Sequence, residues 1–200
     1  MVNLWKNKRT DYEIMNDEQL CLAIFQGDDG AFDYLYEEWK DRLYSYIWTF
    51  LNYNDEDALN VTSDVFVKLY KYLKQKSVTN LKPFLYKIAR NESINLISSR
   101  KSENIKEYES TILESLVTDP EFKSQINEQY RSQILKSFLQ SLDSNFREVL
   151  YLYYFEGKDY MEIAQIISSN KNTVGTIISR GKAKLKELIE TAGYSNVFTE

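Results

Sequence analysis

Between residues 171 and 182 the chain sets Lys171, Asn172, Thr176, Ser179, Arg180 and Lys182 where they would share the outer side of a helix. Val174, Ile178, Leu185 and Ile189 recur at the spacing of its inner side. Basic and short polar side chains projecting together suit phosphate and base contact. Ammonium and guanidinium groups hold phosphates, while hydroxyls and amides reach base edges in a major groove. A second set follows the same logic in the segment 81–101, where Lys87, Arg90, Asn91, Asn95, Ser98, Ser99 and Arg100 lie opposite Leu81, Phe84, Leu85, Ile88, Ala89 and Ile97. A solvated basic face is the competing account of both sets.

Other chemistry is poorly provided for. The chain has no histidine and one cysteine, Cys21, so the commonest general base and a zinc site are both missing. No nucleophile motif or phosphate-cradling glycine loop takes their place, and the carboxylates are scattered. Catalysis, a metal and a cofactor are therefore not expected. Cys21 falls on an apolar helix face and reads as core.

The elements that must position the two polar sets read as helices throughout. Six glycines and two prolines in 200 residues leave little for tight turns, and 43% hydrophobic with 28% charged residues describes a globular chain. Asn16 to Phe25 predicts a short helix with Leu20, Leu22, Ala23 and Ile24 inward, broken by Gly27-Asp-Asp-Gly30. A long aromatic helix is expected from Ala31 to Leu51. A third opens at Asn54-Asp-Glu-Asp57 with Ala58, Val61, Val65, Leu69 and Tyr72 on one face. Pro83 is tolerable in the first turn of the helix that follows.

Residues 137–157, running on to 174, predict three short helices closed by a longer basic one. Asp159 and Glu162 form a capping box for the shorter member of a helix-turn-helix, with Ile163, Ala164 and Ile167 inward. Ser168-Ser-Asn170 makes the turn, and Asn170 caps the next helix. The segment 102–126, with Pro120, reads as a linker, and 191–200 as a frayed tail.

The net charge of −5 and pI near 5.1 argue against a free-standing DNA binder. The basic residues are nonetheless clustered: Lys171, Arg180, Lys182, Lys184 and Lys186 in the last helix, and Lys82, Lys87, Arg90, Arg100 and Lys101 in and after another. No apolar run approaches the ~18 residues of a membrane span, and Met1-Val-Asn-Leu-Trp-Lys lacks a signal peptide's apolar core, so a cytoplasmic protein is expected.

The run L-x-x-L-x-x-x-x-R-E-V-L-x-L-x-Y-F-E-G-x-x-Y-x-E-I-A from Leu139 to Ala164, followed by Thr173-Val174, resembles region four of sigma-70 family transcription initiation factors of the extracytoplasmic-function type. The segment P-F-L-Y-K-I-A-R-N-x-x-I-N-L-I from Pro83 is similar to the region that melts and reads the minus-ten element, and 57–70 to the adjacent polymerase-docking helix. The resemblance implies an all-α chain of two small helical domains: an extension 1–16, region two over 17–101, a linker 102–126, region four over 127–190 and a tail 191–200. It implies that Lys171, Asn172, Thr173, Gly175, Thr176, Ser179, Arg180 and Lys182 face the minus-thirty-five element. Tyr86, Lys87, Arg90, Asn91, Asn95, Ser98 and Arg100 would serve the minus-ten region, with Asn91 at a pocket for a flipped base. Asp57, Asn60, Ser63 and Asp64 would meet the polymerase. The partners implied are core RNA polymerase, promoter DNA as duplex and melted strand, and an anti-sigma factor.

The chain departs from the family pattern at five positions, the mildest being Gly181 in place of a habitual alanine at a tight crossing. Relatives usually carry an acid in place of Asn60 and a glutamine in place of Ser63, and often lysine and arginine in place of Gly175 and Ile177. The first pair implies an altered polymerase contact, and the second weak intrinsic affinity for the upstream element or an unusual sequence preference. Two other readings stay open: a stand-alone helix-turn-helix regulator, and a helical adaptor that no longer directs transcription.

Overall fold

The computed structural model describes residues 11–52, 54–101 and 128–198, and no strand occurs among them. The expected linker 102–126 lies outside the described residues. The helices are α1 (Asp17–Phe25), α2 (Asp29–Phe50), α3 (Asp55–Leu73), α4 (Leu81–Lys101), α5 (Glu128–Gln140), α6 (Ser144–Tyr154), α7 (Tyr160–Ile166), α8 (Lys171–Thr191) and α9 (Ser195–Phe198). They fall into two compact units. The main segment of one ends at Ser99 and that of the other begins at Arg100.

In the first unit the helix starts are set locally. Asn16 and Gln19 exchange side-chain and backbone bonds in a capping box, and Asn54 Oδ1 accepts from the Asp57 amide at 2.9 Å. Gly27 ends α1 at φ +101°, where glycine escapes the penalty a Cβ would bring, and the Asp28 amide reaches back to the Ala23 carbonyl. Asp28 then caps α2 through the Gly30 amide, so α2 begins at Asp29 and not at Ala31 as the glycine-rich break suggested. Tyr12 is drawn into the same corner. Its hydroxyl donates to Asp28, its ring is buried, and a Cβ on Gly30 would sit 2.7 Å from that hydroxyl.

The core of this unit is built from rows at helical spacing: Ala31, Leu35, Trp39, Leu43 and Ile47 on α2, Ala58, Val61, Val65 and Leu69 on α3, and Leu81, Leu85 and Ala89 on α4. Leu20, Cys21 and Ile24 close it from α1, which leaves Leu22 exposed, contrary to its expected inward place. Tyr72 is likewise at the surface, against the Phe84 ring, and Leu73 takes the buried position. In both cases the rest of the expected stripe is buried or partly buried, and only this one member lies a residue to the side of it. At 100° per residue, that rotation carries a side chain from core to water.

In the second unit α6 and α8 make the main contact. Gly181 permits it, because a Cβ there would lie 3.0 Å from Leu150 Cδ1 and 3.2 Å from Phe146 Cδ1. Ile134, Phe138 and Leu139 of α5 and Val149, Leu150, Tyr151 and Leu152 of α6 fill the interior. The expected frayed tail is partly built. Tyr194 meets the Phe138 ring at 5.7 Å, and Ser195–Phe198 forms a short helical turn.

Candidate nucleic-acid interface

The helix-turn-helix is assembled by caps that the local sequence supplies. Asp159 Oδ1 accepts from the amides of Met161 (2.7 Å) and Glu162 (2.9 Å), and Glu162 Oε2 accepts from the Asp159 amide at 2.9 Å. The amides of Glu162 and Met161 hold the Asp159 carboxyl below its ordinary value. The turn after α7 is a left-handed cap with Ser168 at φ +53° and the Ser169 amide bonded to the Ala164 carbonyl. Asn170 Oδ1 then accepts from the Thr173 amide and starts α8. The inward residues of α7 are Ile163, Ala164 and Ile166. Ile167, expected inward, is only partly buried because the chain has already left the helix there.

Val174, Ile178, Gly181, Leu185 and Ile189 bury one face of α8. Lys171, Asn172, Thr173, Thr176, Ser179, Arg180 and Lys182 are all exposed, and Gly175 is partly so. The polar set is therefore presented together, but its members are not equivalent. Thr176 Oγ1 donates back to the Asn172 carbonyl at 3.0 Å. Lys184 pairs with Asp143 at 3.0 Å and Lys186 with Glu190 at 3.6 Å, so part of the basic cluster is answered by acids of its own unit. Arg180 has no intramolecular partner among the described residues. Lys182 lies over the rings of Tyr153 and Tyr154. Partial burial pulls the Lys182 pKa down, but Tyr154 and its neighbours more than offset this, and the ammonium stays above its ordinary value.

On α4, Lys87, Asn91, Asn95 and Ser98 form one exposed row at intervals of four, four and three, and Arg90 and Arg100 are half-buried beside it. Tyr86 does not belong to this row. Its side chain is fully buried, with the Trp39 and Tyr46 rings edge-on at 6.2 and 5.1 Å, because it flanks Leu85 and Ala89 on the inner side. It is a core residue, not a base contact.

The expected polymerase-facing set divides in the same way. Asn60, Ser63 and Asp64 are exposed on α3, whereas Asp57 is buried in the first turn, 6% exposed. Two apolar residues outside the expected set share that outer face, Leu59 and Val67, at 60% and 51% exposure. Their signal was available: both fall off the Ala58–Val61–Val65–Leu69 stripe, alongside the polar residues. An ion pair between Lys68 and Glu92 ties the outer edge of α3 to α4. Among the described residues there is no cluster of side chains suited to a metal, and no helix is long and apolar enough to cross a membrane.

Sigma-70 region 2 matches residues 35–103 and sigma-70 region 4 matches residues 132–185, together more than half of the chain. The chain belongs to the sigma-70 family of initiation factors, which direct RNA polymerase to promoters. It is 22% identical over 158 residues to the ECF RNA polymerase sigma factor SigM of Bacillus subtilis (strain 168), covering 78% of this chain and 93% of that protein. With the ECF RNA polymerase sigma factor SigE of Mycolicibacterium smegmatis it shares 23% identity over 194 residues, 94% of this chain and 75% of the relative. The fold is similar to CnrH in its complex with the cytosolic domain of CnrY, at TM-score 0.64 and 20% identity over 88% of this chain and 97% of that one. It is also similar to the sigma factor RpoE from Bartonella quintana in complex with the anti-sigma factor NepR, at TM-score 0.62 and 21% identity over 80% and 96%.

Proposed function

We propose that the two outward polar faces divide a promoter between them. α8 lies in the major groove of the minus-thirty-five element, with Asn172, Thr176 and Ser179 toward base edges and Lys171, Arg180 and Lys182 toward phosphates. α4 takes the minus-ten element, where Lys87 and Arg90 follow the backbone and Asn91 holds a base extruded from the melted strand. The face of α3 that carries Leu59, Asn60, Ser63, Asp64 and Val67 docks on core RNA polymerase. The work is binding, not chemistry, and its place is the cytoplasm, where the polymerase is. A protein partner of the kind bound to CnrH and RpoE in their structures is proposed to hold this chain inactive.

The observation that carries this proposal is the exposed row on α8, aligned over a fully packed inner face. Run-off transcription with cognate core polymerase tests it, with wild type and Arg180→Ala competed on promoters with and without the upstream element. With Arg180 on a phosphate, its replacement should weaken binding evenly across promoter sequences and reduce the salt slope by about 0.9, whereas a loss of about 1–3 kcal/mol confined to the intact promoter would assign it to a base edge. Absence of any transcript favours the adaptor. Tight, specific duplex binding by the free chain in ~150 mM salt favours the stand-alone regulator, since a chain of net charge −5 should bind phosphates weakly by itself.

A further inference from the structure

Three tyrosines line one flank of the helix proposed to read DNA. Tyr153 and Tyr154, at the end of α6, meet edge-on at 5.2 Å between ring centroids, and Tyr153 meets Tyr160 of α7 edge-on at 5.8 Å. Tyr160 faces Gly175, where an added Cβ would lie 3.5 Å from its ring. Two turns further along α8, the Lys182 ammonium stands 4.8 Å from the Tyr153 centroid and 5.3 Å from that of Tyr154. No acid pairs with Lys182 among the described residues, unlike Lys184 and Lys186.

A lysine on a bare helix surface has four rotatable bonds to freeze when it grips a phosphate, and that entropy weakens the contact. An acid partner would order the side chain but cancel its charge. Aromatic faces order it through their quadrupole and leave the charge intact for an anion. Gly175, earlier on the same flank, contributes no cation.

We propose that Tyr153 and Tyr154 are positioning residues that hold the Lys182 ammonium ready for a backbone phosphate beside the groove entered by α8. This rests on the promoter-reading role proposed above for α8. The tyrosines act through Lys182 and need not touch DNA. Tyr154 is 44% exposed, so it can be replaced without opening the core.

The test is a double-mutant cycle in holoenzyme with core polymerase, reading promoter affinity against salt for wild type, Tyr154→Leu, Tyr154→Phe, Lys182→Ala and the combination Tyr154→Leu with Lys182→Ala. Lys182→Ala should lower affinity and reduce the salt slope by about 0.9, the contribution of one phosphate contact. Tyr154→Leu should weaken binding about threefold to tenfold, Tyr154→Phe should restore most of the loss because the ring remains, and the leucine should cost nothing once Lys182 is gone. An equal cost of Tyr154→Leu with and without Lys182 would overturn the proposal, as would no cost at all while Lys182→Ala still weakens binding. If Lys182→Ala itself leaves affinity and slope unchanged, the phosphate role of Lys182 fails first, and the positioning role with it. Should leucine disturb folding, seen as lost helical signal in the full chain, Tyr154→Phe against Tyr154→Met supplies the same comparison of ring with no ring.

Discussion

Arg147 reaches back across the bend between α5 and α6 to the main chain of Leu142, its Nη2 donating to that carbonyl at 3.0 Å. The same guanidinium donates to the carbonyls of Gln140 (2.9 Å) and Leu139 (3.2 Å). The carbonyls of Leu139 and Gln140 end α5 and that of Leu142 lies in the bend beyond it; Leu139 also accepts from the Leu142 amide at 3.1 Å. One buried cation thus closes α5 and fixes the angle at which α6 leaves it, which in turn sets the platform on which α8 packs.

Arg147→Met should therefore loosen the second unit. Hydrogen bonds to charged groups contribute about 1.5–3 kcal/mol each, and the abandoned carbonyls stay partly buried, so a loss of at least ~2 kcal/mol is expected. Amide exchange in the full chain reads this directly: protection should fall across α5, α6 and α8 while α2 and α3 keep theirs. Unchanged exchange in α5 would show that water replaces the guanidinium at no cost.

Tyr12 should make the first unit sensitive to alkali. Burial, then the hydrogen bond to Asp28 and nearby carboxylates, push its pKa from 10.0 to about 12. The folded value is the higher one, so the folded state favours the protonated phenol. That stabilisation is complete below pH ~10 and is lost as the pH rises through about 12. Unfolding midpoints measured across this range should fall more steeply for wild type than for Tyr12→Phe, which has no proton to lose. Parallel curves would place the phenol in water.

Gly175→Ala should stabilise α8 by up to ~1 kcal/mol, the usual difference between the two residues inside a helix. The new methyl would make ordinary contact with Tyr160 at 3.5 Å and force nothing to move. Slower amide exchange in the first turns of α8 is the expected readout. Faster exchange would mean that the tyrosine flank is tighter than its geometry implies.

Asn91→Ala should impair promoter opening more than formation of the initial closed complex. The amide is exposed in the middle of the Lys87–Asn91–Asn95–Ser98 row, where a flipped base would need a partner. Permanganate footprinting of holoenzyme at matched occupancy measures the melted bases. Equal melting by both proteins would reduce Asn91 to a surface amide.

Features that depend on a few neighbouring residues are legible in the amino-acid sequence itself. The capping box of Asp159 and Glu162, the Asn170 cap and the glycine stop at Gly27 form within one or two turns, and the buried stripe of α8 repeats at helical spacing, so spacing alone defines them. The exposed rows on α4 and α8 follow from the same period. What only the tertiary structure decided is what each side chain meets across the interface. Tyr86 sits next to exposed Lys87 in sequence, yet Trp39 and Tyr46 of α2 pack against it, and Asp57 is buried beside exposed Glu56. Lys182 looks like any surface lysine until α6 brings two tyrosines beneath it. Arg147 looks like a surface charge until its guanidinium folds back onto the end of α5. Periodicity fixes a residue's direction to within the width of a helix face. Burial and partnership depend on which other helix arrives there, and that is a property of packing between segments far apart in the chain.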